Sequence, residues 1–147
     1  SGIVYAKIKD IQQSAFFLSS NHTSRNFIPM GGTLSELTTD QYYSTIIAGY
    51  SGRLVKVFAR TQTGDPGDLT IAFHTGSGGL NASMLESTPV QEIVVENTVD
   101  DTVYTFHFSE SLSSFNETDL LGITVKQENV TSTSYTVTSV WEYDIDD

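Results

Sequence analysis

Between Thr102 and Asp147 apolar and polar residues alternate in three successive segments, and nothing else in the chain constrains its fold as strongly. Tyr104, Phe106 and Phe108 share one parity, with Val103, Thr105 and His107 between them. Leu121, Ile123 and Val125 share the next, interleaved with Gly122, Thr124 and Lys126. In the last segment Tyr135, Val137, Trp141 and Tyr143 alternate with Thr136, Thr138, Val140 and Glu142. Successive side chains of a strand point to opposite faces, so the pattern specifies strands that each bury one face. Turn-rich linkers separate the three segments, which makes them antiparallel and places Trp141 and Tyr143 in the core.

Earlier in the chain the same reading gives shorter strands. Ile3 to Ile8 places Val4, Ala6 and Ile8 on one face, and Ala15 to Leu18 is a brief apolar run. Phe27 to Met30 contains Pro29, which suits an edge or a strand end. Tyr43 to Ala48 leads into the turn Gly49-Tyr50-Ser51-Gly52. Arg53 to Arg60 places Val55, Val57 and Ala59 on one face and Leu54 and Phe58 on the other, as in a strand covered on both sides. Gly64-Asp65-Pro66-Gly67 is a tight turn. Leu69 to Phe73 alternates, and Gln91 to Val95 follows a loop opened by Gly76-Ser77-Gly78-Gly79. No convincing helix emerges; Leu34 to Tyr43 could form a single turn. Nine or ten short strands with unequal loops, long at 76–89 and 109–119, predict an all-β antiparallel sandwich of the jelly-roll type. No repeat or linker divides the 147 residues, so 1–147 reads as one jelly-roll domain.

Composition removes several functions. Seven Lys and Arg against eighteen Asp and Glu leave a formal charge of −11, which disfavours both nucleic-acid phosphate and an anionic membrane surface as partners. Cysteine is absent, so disulfides and cysteine-based metal or redox chemistry are excluded. No apolar run approaches the roughly eighteen residues of a membrane-spanning helix, so no membrane insertion is expected. The chain opens on Ser1-Gly2, as a piece of a longer polypeptide would.

The residue types that carry chemistry are scattered. His22 lies in a polar stretch, while His74 and His107 fall opposite the apolar parity of their strands and are expected to face solvent or a neighbouring subunit. No histidine pair has ligand spacing, and no nucleophile or phosphate-loop motif is present. Asp65 and Asp68, Asp100 and Asp101, and Glu117 and Asp119 sit at turns as ordinary turn acids, without the spacing of a calcium loop. No catalytic, cofactor-binding or metal residue is therefore assigned, and no cofactor. Asn-x-Ser/Thr occurs at Asn21, Asn81, Asn116 and Asn129, a slight excess in so Ser/Thr-rich a chain. Tyr42, Tyr43 and Tyr50 cluster at one turn and could line a binding surface or a subunit contact.

The run Tyr42 to Arg60, with its Gly-x-Leu-x-Lys-Val core at Gly52 to Val57, opens an ordered series of units. A strand ending in Phe73-His74 follows, then Tyr104 to Ser109, then Phe115 to Val125, and finally Val140-Trp141-Glu142-Tyr143-Asp144. Over roughly residues 27–144 the series resembles C-terminal jelly-roll domains on virion proteins of tailed bacteriophages, especially marine and cyanobacterial phages. That resemblance implies a non-enzymatic structural head displayed on a fibre, a tail or the capsid surface, and located in the virion. It further implies a homotrimer in contact with other virion proteins and attached to the host surface, with surface glycan as one target. Loops 20–26, 62–68 and 76–88 are the candidate contact loops, since loops on rigid scaffolds carry recognition. Capsid decoration without a receptor, and a secreted carbohydrate-binding module, remain the alternatives. A glycan-degrading enzyme would need converging carboxylates or histidines.

Overall fold

The computed structural model describes residues 6–18, 23–34, 44–62, 67–77, 88–128 and 133–145. These form β1 (Lys7–Leu18), β2 (Asn26–Phe27), β3 (Gly32–Leu34), β4 (Ile46–Ile47), β5 (Gly52–Thr61) and β6 (Gly67–Gly76). There follow β7 (Gln91–Thr98), β8 (Tyr104–His107), the single helical turn α1 (Glu110–Ser113), β9 (Ser114–Phe115), β10 (Leu120–Gln127) and β11 (Thr133–Asp144).

The strands make two sheets. The first runs β3-β1-β11-β5-β8, with β9 also on β5; the second runs β2-β10-β6-β7, with β4 also on β10. All pairings are antiparallel except that of β3 with β1. Setting aside the short β3, β4 and β9, the first sheet holds the first, eighth, third and sixth strands in sequence order. The second sheet holds the second, seventh, fourth and fifth. That interleaving is the jelly roll, two Greek keys wound together. The all-β sandwich expected from the alternation is therefore present, and its type is given by strand order alone.

The inner faces meet in an aromatic core. Phe73 on β6 sits edge-on to Phe108, Phe115 and Trp141, with ring centroids at 6.5, 6.2 and 5.5 Å. Phe115 also meets Trp141 and Tyr143, both at 5.9 Å. At the other end Phe16 stacks on Tyr135 at 4.9 Å. Edge-to-face pairs of this kind add about 0.5–1.5 kcal/mol each beyond the area they bury. Trp141 is wholly buried, and its indole N–H donates to Ser139 Oγ at 2.8 Å, so a polar residue on the inward parity serves the core. Tyr135 and Trp141 thus lie in the core as the alternation predicts, while Tyr143 packs against it only partly buried.

Two local expectations change, and a third falls mostly outside the described residues. The two short strands expected around Ile8 and at Ala15 to Leu18 are one continuous β1 that pairs with β11 along its full length, Lys7 opposite Asp144 through Leu18 opposite Thr133. Ile8 is 50% exposed and Ala6 is exposed, so neither is core; Val4 lies outside the described residues. The Lys7–Gln13 half carries little apolar alternation because nothing buries it closely on either side, and backbone pairing alone continues the strand. On β5 the face assignment also fails. Lys56 lies opposite Val140 but Leu54 lies opposite Trp141, so Val55 is an extra residue in a β-bulge. The bulge resets the parity: Leu54 joins Val57 and Ala59 in the core, and Val55 is only half-buried. Finally, Leu34 ends a strand, and the rest of the Leu34–Tyr43 helical candidate lies outside the described residues.

Gly52 begins β5 close against the backbone of β11. A Cβ there would stand 2.2 Å from the Glu142 carbonyl oxygen, so only glycine fits between the strands.

Candidate functional site

The scattered histidines and acids do not converge. His107 is exposed on β8 as expected, but His74 is not. It is fully buried on the outer face of the second sheet, with Nε2 2.8 Å from Thr124 Oγ1 and its ring 5.2 Å from that of Phe27. Its parity is the expected one, but that face is covered over β6 and β10, where Thr70, Ala72, Thr124 and Phe27 are buried as well, and opens to solvent only at the β7 edge. His22 lies outside the described residues.

The turn acids hold the backbone. Asp119 accepts from Asn116 N at 2.8 Å, and its own carbonyl receives Ala48 N at 2.8 Å, closing the turn that contains Thr118 at φ 73°. Asp68 Oδ1 accepts from Asn97 N at 3.1 Å beside the β6–β7 irregularity, and Asp101 pairs with Arg60. Asp65 falls outside the described residues. Among the described residues no three His, Asp or Glu side chains gather as metal ligands would, and no helix is long and apolar enough to cross a membrane. Of the tyrosine cluster only Tyr50 is described, and it is 42% exposed. Of the candidate contact loops, residues 20–22, 63–66 and 78–87 lie outside the described residues, as do Asn21, Asn81 and Asn129; Asn116 is exposed.

The outer face of the first sheet is the surface with a definite chemical character. Two shallow depressions lie on it, of about 290 and about 330 Å³. Phe58, Arg60 and Val103 line the first and Gln13, Ala15 and Gly32 the second, while Thr136 and Thr138 line both, so they form one trough across β1, β11, β5 and the start of β8. Small outward side chains on β11 make its floor. Around it Ile11, Phe17 and Val103 are 58%, 36% and 60% exposed.

This face also gathers the cations. Lys7 and Lys9 on β1, and Arg53, Lys56 and Arg60 on β5, are five of the seven basic residues in the chain. Lys7 reaches Glu142 at 3.4 Å and Asp144 at 3.3 Å, which raises its pKa through the hydrogen bond to Asp144 first and the charge second. Arg53 Nε meets the same Glu142 oxygen at 3.4 Å. Lys56 Nζ lies 5.1 Å from the centre of the Phe58 ring, within cation–π range. Among the described residues Glu142, Asp144 and, at the rim, Asp101 stand against the five cations, so cations outnumber acids on this face of a chain whose formal charge is −11. The bulge hides this segregation from the sequence. Arg53 and Lys56 are three apart, a spacing that puts side chains on opposite faces of a regular strand but on the same face here.

No family model matches the chain, and no curated protein does. Solved structures of similar form exist. A subunit of the disulfide-linked pili that form Bacillus endospore appendages is 14% identical, with 99% of this chain and 95% of that one covered at a TM-score of 0.49. The K3 cleaved adhesin domain of Lys-gingipain from Porphyromonas gingivalis is 13% identical, with 67% and 59% covered at 0.44. The human norovirus GI.7 Houston particle protein is 9% identical, with 95% and 32% covered at 0.41. These are likenesses of β-sandwich form, and the jelly-roll assignment stands on the strand order itself.

Proposed function

We propose that the chain is a non-enzymatic virion module, a jelly-roll head displayed as a homotrimer on a tailed-phage fibre, tail or capsid, where it contacts the host surface. The observation that carries the reading is the coincidence of two independent patterns. The ordered motif units resembling phage virion domains occur in a chain whose strands interleave as a complete jelly roll. Those units also supply one aromatic cluster of the core: Phe73, Phe108, Phe115 and Trp141 all belong to them. Phe73, Phe108, Phe115 and Trp141 are committed inward, so none of these four serves as a sugar-binding platform, which weighs against the carbohydrate-binding module. Display would work through avidity, three copies multiplying weak contacts.

Mass spectrometry of purified particles from the source culture tests the reading. Peptides of this chain should appear in the particle fraction, and the flanking genes should encode virion structural proteins. Finding it only in the secreted, particle-free fraction, beside polysaccharide-degrading enzymes and with sugar affinity on a glycan array, would replace the reading with the carbohydrate-binding module.

A further inference from the structure

The trough on the outer face of the first sheet is bordered on β5 by Lys56, Phe58 and Arg60 at alternate positions, a basic-apolar-basic stripe pointing outward. On the edge strand of the second sheet, β7 presents Glu92, Val94 and Glu96 at the same alternate spacing, an acidic-apolar-acidic stripe with Val94 47% exposed. Alternate residues of a strand repeat every ~6.8 Å, so the two stripes share one period. Glu92 also holds Arg25 at 2.5 Å, leaving Glu96 as the less committed charge.

We propose that these two stripes are the halves of one interface, the first-sheet face of one copy docking on the β7 face of the next. The occupant is a second copy of this chain, because the complement of the cation-rich face is carried by the chain itself. A stripe and its complement on different parts of one molecule make a heterologous contact, which closes into a ring or continues as a filament. A cyclic trimer is such a ring, so the inference deepens the proposed display module and rests on its assembling. In the docked pair Val94 would sit over Phe58 and the Thr136–Thr138 trough, with Glu96 against Lys56 or Arg60. Desolvating apolar side chains at the centre with charge pairs around them is how protein interfaces are commonly arranged.

Light scattering after size exclusion, on the full chain, provides the test. Wild-type chain should assemble at low salt and weaken at about 0.5 M salt, where exposed charges are screened. Two double variants, Lys56→Glu with Arg60→Glu and Val94→Lys with Glu96→Lys, should each associate at least roughly tenfold more weakly while keeping wild-type circular dichroism and melting. Mixing the two variants should restore association between unlike variants, since each then offers the other a matched pair of stripes; alternation closes only with an even number of copies, so the recovered species is a hetero-pair or an even-numbered assembly and not the trimer. If the wild type is a trimer that neither variant disturbs, or if the mixture fails to recover, the interface is elsewhere and this inference is wrong, though the display reading survives. A monomeric wild type overturns both this interface and the trimer, whatever other acidic partner the face then takes, and the particle mass spectrometry decides the display reading separately.

Discussion

Gly52 and Gly49 stand three residues apart, and replacing each by alanine should shift stability in opposite directions. At Gly52 the new Cβ would lie 2.2 Å from the Glu142 carbonyl oxygen and 3.1 Å from Tyr143 Cα, whereas real Cβ contacts stop near 3.0 Å. The obstruction is backbone, so β5 and β11 would have to part by the difference, about 0.8 Å. A separation of that size takes a ladder N···O distance from about 2.9 Å to beyond hydrogen-bond range. Two such bonds at about 0.5–1.5 kcal/mol each, with one partner left partly buried and unmet, give a loss of about 2–3 kcal/mol. At roughly 2–4 °C per kcal/mol for a chain of this size, Tm should fall by about 5–10 °C. Gly49 is exposed, and its Cβ would meet nothing within 4 Å. Gly49→Ala should therefore raise stability by about 0.4–1 kcal/mol, by restricting the unfolded chain. Urea and thermal denaturation at one fixed protein concentration would measure both, because assembly makes Tm concentration-dependent. A Gly52→Ala protein as stable as wild type, with an unchanged m-value, would show that the strands can part freely there and would refute the close-approach reasoning.

Gly122→Ala should cost less than Gly52→Ala, about 1 kcal/mol by denaturant titration. Its Cβ meets the Phe27 ring at 2.8 Å and Thr45 Cγ2 at 3.3 Å, which are side-chain atoms that can give way. Ser139→Ala should cost about 1–3 kcal/mol and change the environment of the tryptophan emission, since it strips the buried Trp141 N–H of its acceptor. Alkaline pH should unfold the protein. Burial raises the Tyr135 phenol far above its ordinary value, and burial followed by Asp10 raises that of Tyr143, so folding favours the neutral forms. That contribution is complete below the unfolded tyrosine pKa of about 10 and is lost as pH rises beyond it, so Tm should drop steeply above about pH 10 and less steeply in Tyr135→Phe.

The strands with one dry face are legible because alternation records burial directly; Phe106, Ile123 and Val137 are inside for that reason. Three features leave no such trace. A strand exposed on both sides, as β1 is over most of Lys7 to Gln13, has no face for the sequence to mark. A bulge changes which residues share a face without changing their order, so strict alternation puts Leu54 and Val55 on the wrong sides of β5. A strand buried on both faces, as β6 is around Thr70, Ala72 and His74, reads like a half-exposed one when its second face is small or polar. The bulge is also what conceals the candidate surface. Its cations come from two strands far apart in sequence, β1 and β5, and only their shared register with β11 brings them together.

That register also sets the order of events when the chain is made. β11, the last of these strands to be synthesised, is the one that lies between β1 and β5, so the first sheet has no interior until it arrives. β1 must wait for a partner far downstream, with Lys7 opposite Asp144. Closing so long a loop before its contacts repay it makes folding slow, as in other chains dominated by distant pairings. During that wait β1 and β5 hold open hydrogen-bonding edges on a nascent chain, the condition under which neighbouring chains pair wrongly. The charged residues spaced along β1, Lys7, Lys9 and Asp10, then act as guards of an unfinished edge before they belong to any surface.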